Sequence, residues 1–414
     1  MHDKVLEQLL KKETRRQEET LDLIASENIA SPEILRLLGS PLTNKYSEGY
    51  AGKRYYPGNQ YYDQIELLAI ERGLKAFRLS PTAWHLNVQA LSGSPANLEA
   101  YFGLMEFGDT FMGMALAPGG HLTHGHKVNF SGKAYNAVQY GTDPKTGLLD
   151  YEEIAKLARK HKPKVIVSGI TAYPRAVDFK KFGAIAKSVG AYHMADIAHV
   201  AGLVVARAYP SPFPYADVVT MTTHKTLRGP RGALIFCRKE LATQIDKAVF
   251  PGMQGGPHNN VTAGVAQMFF EALQPSFKVY GKQIVKNAKR LAQGLKQRGF
   301  TLVTGGTDSH MILLDMRNFG IDGMEAQTRL EDVGIVANRN SVPGDLSPFK
   351  PSGVRLGTPS LTTRGMKERE MDELAELMYL TLHSEHRTKR SAEVKRRVKK
   401  LCVRFPAYRI GVRK

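Results

Sequence analysis

Lys225 is the residue whose chemistry depends most on where the fold puts it. It lies in the run Thr222-Thr223-His224-Lys225-Thr226-Leu227-Arg228-Gly229-Pro230-Arg231-Gly232. The preceding Val218-Val219 is β-branched and reads as a buried parallel strand, so Lys225 falls just past its carboxyl end. Open α/β sheets place their chemistry there. A lysine amine held at such a point, partly desolvated and beside other cations, can lose its proton and attack a carbonyl. That is the behaviour of a Schiff-base lysine. A single loop lysine is ordinarily a solvated charge, so its partners decide between the two.

Asp196 directly follows the expected strand Ala191 to Ala195, with His199 three residues on. A carboxylate there can hold a heterocyclic nitrogen protonated, because the opposite charge favours the cation. Ser92-Gly93-Ser94-Pro95 follows a strand and opens a helix, and small residues with hydroxyls at a helix N-terminus seat a single phosphate. The run matches neither the dinucleotide nor the nucleoside-triphosphate glycine motif. Gln254-Gly255-Gly256-Pro257 is a second loop of backbone donors. His121, His124 and His126 lie close together without an accompanying acid or cysteine pattern, so no metal is expected; an imidazole stacked on a flat ring suits one of them. Arg355, among the small residues Ser352, Gly353 and Gly357, can grip a carboxylate with two parallel bonds. Together these residues describe a site for pyridoxal phosphate and an amino acid, in which the cofactor is the electron sink.

The elements that must position them alternate. Helices are expected over Gln64 to Phe77, from Ser92 to Phe107, from Asp150 to His161 and from Asp178 to Gly190. Strands are expected around Asn87 to Leu91, Asp109 to Met114, Lys164 to Ser168 and Ala191 to Ala195, then the Val218-Val219 strand and Ala233 to Cys237, whose direction periodicity leaves open. This alternation predicts an α/β protein with a mostly parallel central sheet and helices on both faces. After Pro251-Gly252 a long helical region, short strands and a closing helix from Lys367 read as a smaller C-terminal α+β domain. The expected division is an N-terminal arm (1–40), a large cofactor-binding domain (41–272) and a small domain with a basic tail helix (273–414). Between Thr43 and Tyr62 six tyrosines share a stretch with neither helical nor strand period, which suggests function, an interface, or both.

Composition sets the bounds. The chain has 414 residues, 42% hydrophobic and 23% charged, the profile of a globular enzyme with two to three domains. Cys237 and Cys402 lie far apart, which fits a reducing, cytoplasmic setting better than a disulfide framework. No apolar run approaches the roughly 20 residues of a membrane span. The net charge of +19 is uneven: residues 387–414 hold twelve Lys/Arg against one acid, Glu393. Val394, Val398 and Leu401 at helical spacing give that tail an apolar seam and a solvated basic face. Nucleic-acid binding is the sharper reading of the tail, but it lacks interleaved aromatics and a binding motif.

From Leu21 to Tyr408 the chain resembles the serine hydroxymethyltransferase family of fold-type-I pyridoxal-phosphate enzymes. The resemblance is carried by Leu23-Ile24-Ala25-Ser26-Glu27-Asn28, Asn44-Lys45-Tyr46, Glu48-Gly49-Tyr50, the runs Gly119 to Gly125 and Val128 to Gly132, Asp196 to Gly202, Thr222 to Leu227, Phe250 to Pro257, Asn340 to Pro343 and Arg355 to Pro359. It implies a reversible exchange of serine and tetrahydrofolate for glycine and 5,10-methylenetetrahydrofolate, through a retro-aldol step in a homodimer, or a tetramer built from it. By position it makes Lys225 the aldimine lysine, Asp196 the pyridinium partner and His121 the stacking ring. His199, Thr171, Thr222 and His224 become cofactor contacts; Ser92, Gly93 and Ser94 hold the phosphate, joined across the dimer by Tyr46 and Gly256. Ser26 and Arg355 would take the substrate carboxylate with the neighbour's Tyr56, while Glu48, also from the neighbour, would act as acid/base. His224 and Tyr56 are implied in catalysis too. Tyr55 and Arg231 are implied substrate contacts, and Leu116, Gly120, Leu122 and Asn340 would line the pteridine site. The departures are Thr171 for a usual serine, Met221 within a threonine run, Asn260 for a usual histidine, a longer stretch from Leu79 to Leu86, and the extension Arg409 to Lys414. A folate-independent aldolase acting on 3-hydroxy amino acids is the alternative that shares the cofactor half; Glu48 and the Leu116 to Leu122 loop speak for folate.

Overall fold

The computed structural model describes residues 2–345, 350–383 and 387–408; the extension Arg409 to Lys414 lies outside them. Two compact units emerge: residues 30–282 form one, and residues 1–29 with 283–414 the other.

The larger unit is built on a seven-stranded sheet, in the order Trp84–Asn87, Ala233–Arg238, Val218–Thr222, Tyr192–Asp196, Val165–Val167, Thr110–Met114, Asn136–Tyr140. Ala233–Arg238 runs antiparallel to both its neighbours, which settles the direction that periodicity leaves open. All other pairings are parallel. The strand expected around Asn87 to Leu91 ends at Asn87, whose side chain accepts the N–H of Gln89 at 2.9 Å and turns the chain. Asn136–Tyr140, an edge strand in which only Tyr140 is buried and the rest is exposed or half-exposed, lacks the alternation that would mark it in the sequence.

Alternation along the strands feeds two apolar layers. On one face Phe111, Val165, Val167, Met194, Val218 and Ile235 pack with Ala96, Ala100, Tyr101 and Leu104 of the helix Gly93–Leu104. On the other, Phe236 meets Phe77 and Phe213 edge-on, and Gly73 of the helix Gln60–Phe77 lies so close to Leu86 that a Cβ would come within 2.4 Å. Helix starts are fixed by side-chain caps: Asp150 accepts from the N–H groups of Glu152 and Glu153, Asp178 from Lys181, and Ser31 from Ile34.

The tyrosine-rich stretch starts at the end of the short 3-10 helix Pro41–Asn44 and is then irregular up to Asn59 apart from a short hairpin, Gly49–Tyr50 with Lys53–Arg54; its last residues open the helix Gln60–Phe77. One arginine holds it. Arg54, with a side chain 4% exposed, bonds to Asp63 at 2.8 Å, to Glu66 at 2.9 Å, and to the carbonyls of Ser47 and Gly49.

The other unit carries a four-stranded antiparallel sheet, ordered Thr301–Leu302, Met311–Asp315, Gly353–Gly357, Asn338–Asn340. Residues 1–29 belong with it because Leu21–Asp22 pairs with Ile335–Val336, and Leu21 and Leu23 enter its core beside Leu374 and Met378. A two-residue strand has no period to detect, so sequence alone sets these residues apart as an arm and places the second boundary at 272, not 282. The tail helix Arg387–Arg404 buries Val394, Val398 and Leu401, the seam its spacing indicates. Among the described residues no helix is long and apolar enough to cross a membrane.

Arg54→Met should destabilise the protein by about 3–5 kcal/mol, because Glu66 is left as a buried charge without its partner. Asp63→Asn, at a more exposed pair, should cost under about 1 kcal/mol. Urea unfolding of the two variants checks this; equal midpoints would refute it.

Candidate active site

The chemistry-bearing residues of the larger unit gather at the carboxyl ends of its parallel strands. Asp196 is the last residue of Tyr192–Asp196 and pairs in register with Thr220 on the next strand, five residues before Lys225. Its Oδ2 accepts from Asn97 Nδ2 at 2.8 Å and lies 3.1 Å from His124 Nε2, while its Oδ1 accepts the Ala198 N–H at 3.0 Å. Since His124 Nδ1 accepts the backbone N–H of His121, the proton sits on Nε2 and is donated to the carboxylate. Burial alone would raise the pKa of Asp196, but the donors from His124 and Asn97 outweigh it and hold the group well below the usual carboxylate range. The site therefore keeps a buried anion.

The imidazoles behave oppositely. Burial, then His124 and Lys225, lower His121 to about 4 against a smaller upward pull from Asp196. Burial, then Arg231 and Lys225, lower His224 to about 3. Both rings are neutral at pH 7, and His224 Nε2, 3.3 Å from Arg231 Nη1, accepts from it.

Close backbone packing fixes these groups. A Cβ on Gly93, at the start of the Gly93–Leu104 helix, would come within 2.7 Å of Thr222, so the Ser92-Gly93-Ser94 turn lies against the strand leading to Lys225. On the far side of Lys225, Thr226 Oγ1 donates to the His199 carbonyl and accepts from the Gly202 N–H. Thr171 donates its N–H to the Gly119 carbonyl at 2.7 Å. Gly120 lies where a Cβ would be 2.0 Å from the Met114 carbonyl, which fixes the His121 loop against the strand Thr110–Met114. Leu116 and Leu122 flank that loop, Leu122 being 40% exposed.

A second group forms elsewhere in the same unit. The Tyr46 hydroxyl bonds to Glu48, Tyr46 meets Tyr56 edge-on at 5.1 Å, and Gly256 lies against the Tyr46 ring. Glu48 and Tyr55 line a cavity of 630 Å³ with Phe250 to Gly255, and Tyr46, Tyr55 and Tyr56 are all exposed. The remaining candidates lie in the other unit. Arg355 on Gly353–Gly357 is buried, its Nε donates to Asn338 at 3.2 Å, and burial lowers it to about 10, so it stays cationic at pH 7. The segment bearing Ser26 crosses this strand: Gly357 donates to the Leu23 carbonyl, and a Cβ on Gly357 would be 2.4 Å from Ala25. Asn340 pairs in register with Gly353.

Two members of this site escape a reading of the sequence: Asn97, and His124 in its service to Asp196. A buried amide in an apolar helix leaves no local signal, and His124 stands out only through its spacing. Of the departures, Met221 is a buried strand residue, and Asn260 donates to the Leu38 carbonyl at 2.9 Å. Among the described residues no group of three or more His, Cys, Asp or Glu is placed to hold a metal ion.

The family model for serine hydroxymethyltransferase matches residues 1–378. A serine hydroxymethyltransferase of Legionella pneumophila strain Lens is 54% identical over 409 residues, covering 98% of this chain and 97% of its own. One from strain Corby is 53% identical with the same coverage. With the family's motifs spread through both units and the match running nearly end to end, the chain belongs to the serine hydroxymethyltransferase family.

Proposed function

We propose that the protein interconverts serine and glycine, passing the hydroxymethyl carbon to tetrahydrofolate, with pyridoxal 5′-phosphate as its cofactor. The observation that carries this reading is Asp196, a buried carboxylate kept anionic by His124 and Asn97 one strand from Lys225. A ring nitrogen that must stay protonated needs such a group. The donor set fits the cofactor in its other parts too: a helix N-terminus with hydroxyls for the phosphate, a neutral His121 to stack, and an amine. When bound, pyridoxal phosphate supplies an electron sink for negative charge at the substrate α carbon.

The chain's own residues do the rest. Ser92, Gly93 and Ser94 hold the phosphate, and Lys225 supplies the amine that retains the aldehyde. Thr171, His199, Thr222 and His224 orient the ring. Arg355, with Ser26, pairs with the substrate carboxylate and thereby directs the α–β carbon bond. Arg231 adds positive charge at the edge.

The exposed Tyr46, Tyr55 and Tyr56, with the half-buried Glu48 and Gly256 beside them, suit donation to a second copy. We read the working form as a homodimer with shared sites, or a tetramer of such dimers. There Glu48 would hold or release the proton at the substrate hydroxyl, with Tyr55 and Tyr56 beside it. Tyr46 and Gly256 would complete the phosphate seat. Leu116, Gly120, Leu122 and Asn340 would face the pteridine. Two free, buried cysteines suit a cytoplasmic setting.

Lys225→Ala should abolish both the visible absorbance of protein-bound pyridoxal phosphate and folate-dependent conversion of serine to glycine; an unchanged spectrum would overturn the cofactor reading. Wild-type turnover that is equally fast without tetrahydrofolate would make the enzyme an aldolase instead. His124→Ala removes a donor to Asp196, so the Asp196 pKa should rise and the anion should be lost at higher pH. Acid titration of the holoenzyme should therefore lose the cofactor absorbance at a higher pH in the variant than in the wild type. Superimposable titrations would show that His124 does not tune the carboxylate.

A further inference from the structure

A second cavity, of 300 Å³, opens in the larger unit where the helix Gln60–Phe77 ends and the helix Pro275–Gln297 begins. Its walls combine Val205, Leu273 and Pro275 with the cations Lys75, Arg78 and Lys278. Arg207 stands close enough for its charge to add to burial in lowering the pKa of Arg78. None of these four cations has an ion-pair partner among the described residues. The cavity shares no residue with the site around Asp196.

Local physics does not account for this grouping. The dipole at the C-terminus of Gln60–Phe77 favours Lys75 and Arg78, but Lys278 lies in the first turn of Pro275–Gln297, where a cation faces the positive end of the dipole and no acid offsets it. Arg78 and Arg207 both adopt left-handed backbone conformations, at φ 59° and 56°, where glycine is the less strained residue. Two arginines thus occupy glycine-favouring positions and repel each other, and Arg78 shares the cavity wall with a lysine that its own helix disfavours. A bound anion would offset all three.

We propose that this cavity is a binding site for a small phosphate monoester with an apolar body, its dianion held by Arg78, Lys75 and Lys278 with the charge of Arg207 beside them, and its body against Val205, Leu273 and Pro275. Guanidinium groups bind phosphate in two-point fashion, and the volume is at the small end for ligand sites. The site is independent of the catalytic chemistry assigned to Lys225 and Asp196.

Phenyl phosphate is the probe, titrated by calorimetry into protein saturated with pyridoxal phosphate, so that the Ser92 to Ser94 seat is filled. At constant ionic strength it should bind at least about tenfold more tightly than inorganic phosphate, which lacks the apolar body. The double variant Arg78→Gly, Arg207→Gly has the backbone these positions favour, so it should fold with an unchanged circular dichroism spectrum and lose affinity by about tenfold or more. Lys75→Gln with Lys278→Gln is the second variant, and should weaken binding in the same direction. Undiminished affinity in both variants, or phenyl phosphate binding no better than sulfate or chloride, would overturn the proposal.

Discussion

A carboxylate taken out of water must find donors or give up its charge. Asp196 finds three, from Asn97, His124 and the Ala198 backbone, and much of the larger unit exists to bring them there. Asn97 comes from a helix, His124 from a glycine-bounded loop, and Ala198 from the turn that ends the strand. Their convergence leaves no spare volume. A Cβ at Gly169 would be 2.6 Å from the His124 ring and 2.9 Å from the Asp196 Cβ. Asn97 is itself held from behind, accepting from Thr220 at 2.7 Å and donating to Thr123 at 2.8 Å.

This network also explains why the imidazoles of His121 and His224 differ from the carboxylate in charge. His121 makes no direct bond to Asp196 but reaches it through His124 and through Thr123 and Asn97, while burial, with His124 and Lys225 nearby, disfavours a proton on it. His224 is half-buried, with two cations for neighbours. Neutral rings beside one fixed anion leave the carboxylate uncontested, as the proposed stacking on a cofactor ring would require. An imidazolium at position 121 would weaken the attraction between Asp196 and a ring nitrogen.

How much of this is legible in the sequence follows from how local each signal is. Lys225 and Asp196 can be placed because β-branched or apolar runs precede them and strand ends are where such residues act. The caps at Ser31, Asp150 and Asp178 are equally local. Ala233–Arg238 can be recognised as a strand but not oriented, since an antiparallel partner is a long-range fact. Asn97 is invisible for the same reason: its partners lie 26, 99 and 123 residues away. The pairing of Leu21–Asp22 with Ile335–Val336, which carries residues 1–29 into the other unit, links positions more than 300 residues apart through two residues of strand.

The basic tail shows how a single charge count can combine two different things. Arg397 faces inward to Glu376 at 3.1 Å, with Glu373 and Glu393 also in reach, and Arg404 bonds to Glu370 at 2.6 Å. These arginines fasten the helix Arg387–Arg404 to Glu368–Leu382, alongside the buried seam of Val394, Val398 and Leu401. Lys395, Arg396, Lys399 and Lys400 point outward and exposed. Charge that braces a helix cannot also be offered to a polyanion, so the excess seen in the sequence overstates the surface available for one. The helix has a sufficient structural reason to be basic on its inner edge, and solvation suffices for its outer one.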